Sequence, residues 1–412
     1  MDFEFSDRSQ DITARVGAFF ETHVLPRNRD WREWSENNSG DPVWLEDLRA
    51  KAKSEGLWNM GLSGLPESKP GQGLSNLEFA PIAEIMGRLA WAPVVFNCHA
   101  PDVPNMITLL EAATPDQQAQ WLDPLLDGTM RSAFAMTEPA TASSDARNIA
   151  MRIDKTATGY VMNGRKWFAS GGAHANCKFM IVIGAMSDAA PRSGHTALIV
   201  PMDTPGLKQV RKLRFMGWDE PCSPMAELEF NNVEVPDSAL LGAEGQGFAV
   251  AQTRLGPARV HHCMRAIGLA ETVIEMMVAR ASERRAFNKT LGEYDTVQGW
   301  IARSRIEIEQ ARLIVLKCAW LLDKKGHQSA WRDVSIAKVA VPAMLNGVID
   351  RAVQLFGALG GTDDTPLPAA MAWARAFRIF DGPDEVHLRQ IFRQETPASG
   401  PLADSPYLSK PI

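Results

Sequence analysis

The chain has 412 residues, with 43 Lys and Arg against 49 Asp and Glu for a formal net charge of −6, and it is 45% hydrophobic and 22% charged. That is ordinary globular composition with room for two or three domains, and its mildly acidic total argues against a nucleic-acid partner, which calls for a basic face. Five scattered cysteines (Cys98, Cys177, Cys222, Cys263, Cys318) without a C-x-x-C pair speak against a disulfide framework or zinc site and for reduced thiols in a cytoplasmic setting.

The opening "MDFEFSDRSQ" is acidic and lacks the apolar stretch of a secretory signal. From about residue 11 to 128 the apolar spacing is three and four, which predicts helices over "DITARVGAFFETHVLP", "VWLEDLRAKAKSEGL", "NLEFAPIAEIMGRLAW" and "TPDQQAQWLDPLLDG". The last begins with Thr114 as N-cap, Pro115 at N1 and Asp116 at N2. From about residue 131 to 236 the period shortens towards two. "MRIDKTATGYVMNG" predicts a hairpin, and "FMIVIGAM", "HTALIVPMD" and "MAELEFNNVEVP" predict short strands between turn residues. From residue 247 to 395 long helical patterns return and predict a bundle with faces inside and between subunits. No uninterrupted apolar run approaches the roughly 18 residues of a membrane span, so no membrane association is expected. The resulting expectation is a mostly helical α+β chain: an N-terminal helical domain (1–130), a small central β domain (131–240), a C-terminal helical bundle (241–395) and an extended Pro- and Ser-rich tail (396–412). A cleft where three such lobes meet is a natural ligand site.

Five stretches have side chains suited to chemistry. "FAMTEPATASSDARNI" is a small, polar loop after a short apolar strand, read either as a surface connection or as backbone that approaches a flat or anionic ligand. In "GRKWFASGG", Trp167 and Phe168 precede two glycines, which suits ring stacking or a core strand with a bulge. "RLGPARVHHCMR" sets Arg254, Arg259 and Arg265 near a helix start, where guanidinium groups suit phosphate. His261 and His262 point about 100° apart on a helix, which favours packing or polar contacts and gives no metal site. "QLFGALGG" reads better as a glycine-terminated helix than as a dinucleotide loop. In "RIFDGPDEV", Gly382 is expected at the N-cap, Pro383 at N1, and Asp384 and Glu385 at N2 and N3, which leaves Asp381 on a flexible corner as a turn residue or an exposed carboxylate.

In this order and at these separations, "AMTEP…SSD", "KWFASGG", "ARV…IGLAE", "SERRAF", "AVQLFGALGG" and "RIFDGPDEV" resemble the motifs of the acyl-CoA dehydrogenase family, over essentially the whole chain to about Glu395. The variants "MTEPATASSDA", "RLGPARVHHCMR" and "DGPDEVHL" are most similar to the branch of family members 10 and 11. The resemblance implies an N-terminal helical domain, a central β domain and a C-terminal four-helix bundle, with FAD between the last two. It implies flavin contacts at Phe134, Met136, Thr137, Trp167, Phe168, Ala169, Pro383 and Glu385, and a serine near flavin and CoA at Ser143 or Ser144. Ala169 stands where many members have Thr. Arg284, Phe287, Gln354, Phe356 and Gly357 would hold the FAD pyrophosphate and adenosine across a subunit interface, which implies a homodimer or homotetramer. Ser144, Gly256, Arg259 and Gly382 would contact the substrate, and Asp381 occupies the position of the catalytic base, usually Glu. Asp is shorter by one methylene, roughly 1.3–1.5 Å, and misplacement by about 1 Å can cost on the order of 10²-fold in rate. The implied activity is α,β-dehydrogenation of an acyl-CoA to a trans-2-enoyl-CoA, with electrons passing to an electron-transfer flavoprotein. An acyl-CoA oxidase or flavin monooxygenase of the same fold is the alternative, and a flavin-containing DNA-associated protein a more distant one.

Overall fold

The structure is a computed structural model that describes residues 4–35, 38, 40–189 and 194–396. From residue 397 onward the expected extended tail lies outside the described residues. The N-terminal lobe contains helices α1 (Asp7–Phe19), α2 (Asn28–Ser35), α3 (Val43–Ser54), α4 (Asn76–Gly87), α5 (Ala92–Val95), α6 (Asp102–Ala112), α7 (Pro115–Gln117) and α8 (Asp123–Asp127). Thr114 caps α7 as expected: its Oγ1 accepts from Gln117 N while the Gln117 side chain accepts from Thr114 N, a reciprocal capping box. The single helix expected from Thr114 is instead α7 and α8 with a π-helical turn, Gln118–Leu122, between them. The structure also has α2, α5 and α6, which the sequence pattern did not single out.

The seven-stranded sheet comprises β1 (Arg131–Ala135), β2 (Arg152–Lys155), β3 (Gly159–Ala169), β4 (Cys177–Met186), β5 (His195–Pro201), β6 (Leu207–Leu213) and β7 (Met225–Pro236). The predicted hairpin is β2–β3, antiparallel with Arg152 opposite Asn163 and Lys155 opposite Tyr160. Both β1 and β2 run parallel to β4, at different points along it, and β5 pairs antiparallel with β4. The near-continuous apolar run of β4 follows from burial on both faces. Met180 and Val182 face the core of the β domain, whereas Phe179, Ile181 and Ile183 pack with Leu109, Leu122 and Leu125 of the N-terminal lobe. Strand β6 escaped the sequence pattern because "LKQVRKL" is mostly exposed and carries no apolar alternation.

The bundle is built from α9 (Gly247–Glu283), α10 (Asp295–Phe356), α11 (Leu367–Phe377) and α12 (Asp384–Glu395). Gly326, at φ 71° and ψ 172°, breaks α10 into two helices, as the two separate sequence segments predict. Helix α9 begins at Gly247, well before Arg259, because Pro257 is absorbed inside it. The stretch Ser329–Gly361 is long and apolar enough, by length and composition only, to cross a membrane, although Arg332, Asp333, Lys338, Asp350 and Arg351 interrupt it. In the fold its Val334, Ala337, Val341, Leu345, Val348 and Ile349 belong to the core shared by the bundle and the N-terminal lobe. Glycines let α4 and α9 cross almost backbone to backbone: a Cβ on Gly268 would meet Glu84 O at 1.8 Å, and one on Gly87 would meet Arg265 O at 2.1 Å. That crossing fixes α9, and with it Arg259, His262 and Arg265, against the first lobe.

Candidate active site

The corner between α11 and α12 is the centre of the site. Asp381 has φ 56° and Gly382 φ 100°, so both lie in the left-handed region, which is strained for Asp and easy for Gly. Pro383, at φ −67° and ψ 159°, is itself the N-cap, so Asp384 is N1 and Glu385 N2, one position earlier than expected. The reason is its extended ψ, which leaves it just outside the helix. Asp384 closes the corner by accepting from Arg378 Nε at 2.7 Å and donating its N–H to Arg378 O at 3.2 Å. The Asp381 carbonyl is clamped by two donors, Arg259 Nε at 2.8 Å and His387 Nε2 at 3.2 Å. The His387 Nδ1 lies 3.2 Å from Ser335 Oγ, and burial first, with Arg259 second, pushes its imidazole down to about 3. It is therefore neutral and can donate through Nε2 while accepting at Nδ1.

The Asp381 carboxylate faces His262, with Oδ2 3.7 Å from Nε2. Arg265 Nη2 lies 2.9 Å from His262 Nδ1. Burial, then Arg265 and Lys338, holds the His262 imidazole far below its ordinary value. Lys338 is fully buried, donates to Phe377 O at 2.5 Å and is pushed down to about 8, chiefly by burial. Phe377, Phe380 and Trp373 wall the His262 ring at 5.9, 5.1 and 6.4 Å between centroids.

The opposite wall comes from the sheet. Between Lys166 and Ala169 the β3–β7 register shifts, and Phe168 has φ 48°, so the strand bulges as one of the two readings had it. Both Trp167 and Phe168 line the cleft, stacked edge to face at 4.9 Å, so the bulge also presents rings. Thr137 and Trp167 exchange hydrogen bonds, Trp167 N to Thr137 O at 3.0 Å and Thr137 Oγ1 to Trp167 O at 2.6 Å. Beneath them Lys166 donates to Met136 O at 2.8 Å and to Glu138 Oε1 at 2.7 Å. Ser143 Oγ accepts from Glu138 N at 3.0 Å, which ties the polar loop to the strand end.

These walls and the N-terminal lobe enclose a cleft of about 2240 Å³, lined by Phe134, Met136, Thr137, Ser143, Ser144, Trp167, Phe168, Arg259, Asp381, Gly382 and Pro383 among the expected residues. Three buried polar atoms of lining residues, Arg259 Nη1, Ser223 Oγ and Gln252 Oε1, have no hydrogen-bond partner among the described residues. A large ligand with flat apolar surface and polar edges fits such walls.

Other expected residues lie elsewhere. Ala169 faces the core of the β domain, Gly256 is buried inside α9, and Glu385 is exposed on α12 away from the cleft. Side-chain placement of Arg254 lies outside the described residues. Arg284, Phe287, Gln354 and Gly357 are exposed and Phe356 half-buried, none of them lining the cleft. Phe287, at the tip of a small hairpin formed by β8 (Arg285–Ala286) and β9 (Lys289–Thr290), is 94% exposed and held at φ 50°.

The sequence pattern missed Lys338, Trp373, His387 and Trp331, whose ring lies 5.1 Å from the Arg259 guanidinium, as site residues, and gave His262 packing or polar contacts. Spacing of three along α9 (Arg259, His262, Arg265) and one turn into α12 (His387) was the available signal. Cys222 also meets His99 and Glu220 at the cleft wall, with potential ligand atoms within 4.8 Å of one another. Burial lifts the Glu220 carboxyl to about 7, and burial first with Glu220 second lifts the Cys222 thiol well up, against the opposing pull of Arg131 and Arg265.

The three domain models of one family match in sequence: acyl-CoA dehydrogenase N-terminal domain over residues 6–129, middle domain over 133–233 and C-terminal domain over 245–396. The chain belongs to the acyl-CoA dehydrogenase family. It is a flavin-dependent oxidoreductase, and FAD is its cofactor. Among acyl-CoA dehydrogenases it is 48% identical to the Mycobacterium tuberculosis "Probable acyl-CoA dehydrogenase FadE2", over 96% of this chain and 97% of that one. It is 43% identical to acyl-CoA dehydrogenase family member 11 of Gallus gallus over 95% of this chain but only 51% of that longer protein. A solved Mycobacterium abscessus chain, named as a proposed acyl-CoA dehydrogenase, superposes with a TM-score of 0.91 at 43% identity, covering 95% of this chain and 99% of that one.

Proposed function

We propose that this acyl-CoA dehydrogenase oxidises an acyl-CoA thioester to its trans-2-enoyl-CoA, with Asp381 as the base that removes the α-proton. Bound FAD supplies the acceptor, at flavin N5, for the β-hydride. The observation that carries the reading is the corner itself: a carboxylate in the cleft, on backbone held in the left-handed region by Arg259 and His387, opposite Phe134, Thr137 and Trp167. Asp381 takes the α-proton as the carbon–carbon double bond forms, and that proton stays on its carboxyl until solvent removes it after product leaves. Trp167, Phe168 and Phe134 give an apolar platform that keeps water from the reacting carbons. Arg259, with an unpartnered buried Nη1, offers a donor to the substrate beside the base. The two bonds to its carbonyl fix the Asp381 backbone, so the shorter side chain reaches from a fixed point.

Exposure of Arg284, Phe287, Gln354 and Gly357 supports completion of the FAD site by a neighbouring protomer, hence a homodimer or homotetramer. Transfer of electrons to an electron-transfer flavoprotein follows from the family likeness. Cytoplasmic placement rests on five buried, unpaired cysteines.

The test is anaerobic titration of the flavoprotein with acyl-CoAs of graded chain length while recording the flavin spectrum. Bleaching by at least one chain length is expected, and a flavin that none of them bleaches overturns the reading. In Asp381→Asn bleaching should slow by at least about 10²-fold; reduction at the unmodified rate removes Asp381 from the mechanism. Admitting air and following peroxide then separates a dehydrogenase from an oxidase.

A further inference from the structure

We infer that His262 is a positioning residue for Asp381, holding one carboxylate oxygen with its Nε2–H so that the other stays turned to the cleft. The inference rests on the reading of Asp381 as the base and adds what aims it.

The backbone clamp leaves this question open. Arg259 and His387 hold the Asp381 carbonyl, but neither hydrogen bond restricts rotation about the Cα–Cβ bond. Only the environment of the carboxylate can do that. His262 Nε2 stands 3.7 Å from Oδ2, longer than a hydrogen bond. Catalytic hydrogen bonds in ligand-free sites are commonly long and tighten when substrate binds.

The tautomer is decided one residue further along the chain of contacts. A guanidinium has donors and no acceptor, so the 2.9 Å contact between Arg265 Nη2 and His262 Nδ1 uses the lone pair of Nδ1. A neutral ring must then carry its proton on Nε2, which is the atom that faces Asp381. Burial first, and then Arg265 on α9 and Lys338 on α10, with His99 of the N-terminal lobe and His261 on α9, keep the ring neutral. The Asp381 carboxylate at the corner acts in the opposite sense. Packing against Phe377, Phe380 and Trp373 fixes the ring plane. With its lone pair occupied by Arg265, His262 cannot itself serve as the base. Its part is to donate to Oδ2 before and after the proton transfer, while Oδ1 accepts the α-proton. No proton leaves the imidazole, and the balance of the reaction is unchanged.

Three variants and one spectrum test this. His262→Leu keeps much of the volume and removes the donor; His262→Gln keeps a donor near the place of Nε2; Arg265→Met frees Nδ1. Anaerobic flavin reduction should slow by about 10- to 100-fold in His262→Leu, with the acid limb of the pH–rate profile moved to higher pH. His262→Gln should recover most of the rate, and Arg265→Met should fall between. Rates and profile unchanged in His262→Leu, with Asp381→Asn inactive, overturn the positioning role and leave the base intact. If Asp381→Asn itself reduces flavin normally, the proposed function falls and takes this inference with it. Should His262→Leu fail to fold or to hold FAD, nitrogen-15 NMR of histidine-labelled unmodified protein decides. A neutral His262 ring protonated at Nε2 through the neutral pH range is expected; an Nδ1-protonated or charged ring overturns the inference.

Discussion

Gly382 shows how much of the site depends on one missing methyl group. At φ 100° it is in a region that side chains avoid, and a Cβ there would stand 2.8 Å from His387 Nε2, the donor that holds the Asp381 carbonyl. Gly382→Ala should therefore displace His387, store on the order of 1–3 kcal/mol of backbone strain, and slow flavin reduction by about 10²-fold through misplacement of Asp381. Stopped-flow reduction with flavin content measured in parallel checks this, because FAD should remain bound. Asp381 was legible as a candidate from "FDGPDEV", but its two carbonyl donors were not: they come from residues 122 and 6 positions away, and only folding brings them together.

Among the elements, α9 holds the site in place, and it crosses α4 almost backbone to backbone. Gly268→Ala would put a methyl group 1.8 Å from Glu84 O, so the helices must part. A loss of about 1–3 kcal/mol is expected, seen as a melting temperature lower by roughly 2–4 °C per kcal/mol in calorimetry of the holoenzyme. Across the joint Arg312 pairs with Glu84 at 2.8 Å and Glu271 at 2.5 Å, joining α10 to both helices. Lys338 on α10 makes a pH prediction of its own. Its buried amine titrates at about 8, against roughly 10.4 in an unfolded chain. Between those values the unfolded chain binds the extra proton, so stability from this group rises with pH across that window, and below about 8 its burial penalty is present in full. In Lys338→Met the rise should be missing, which urea unfolding at graded pH would show. Helix periods and strand alternation made most of these elements legible. Strand β6 and the division of the Thr114 segment were not: an exposed charged strand has no apolar pattern, and Pro124 in the first turn of α8 was the only mark that the π-helical turn left in that segment.

At the scale of the whole molecule, the expected adenosine and pyrophosphate contacts lie outside the cleft. Arg284 and Phe287 are exposed, and Phe287 is an aromatic at a hairpin tip. If a second protomer completes the FAD site, Arg284→Ala with Phe287→Ala should lower FAD affinity by at least about 10-fold and shift the mass in light scattering towards monomer, while circular dichroism stays unchanged. Unchanged FAD affinity would instead remove Arg284 and Phe287 from the cofactor site.

What the sequence by itself determined was the order helix, sheet, helix, the family motifs, and which short stretches carry the site, because these depend on local periodicity and residue type. What only the tertiary structure decided was which of those residues meet. Ala169 turns to the core of the β domain and Glu385 to solvent, while His262, for which helix geometry favoured packing or polar contacts, faces the carboxylate. Orientation is set by helix crossings, a strand bulge and a left-handed corner, and each of these is an agreement between residues far apart in the chain that a local pattern does not record.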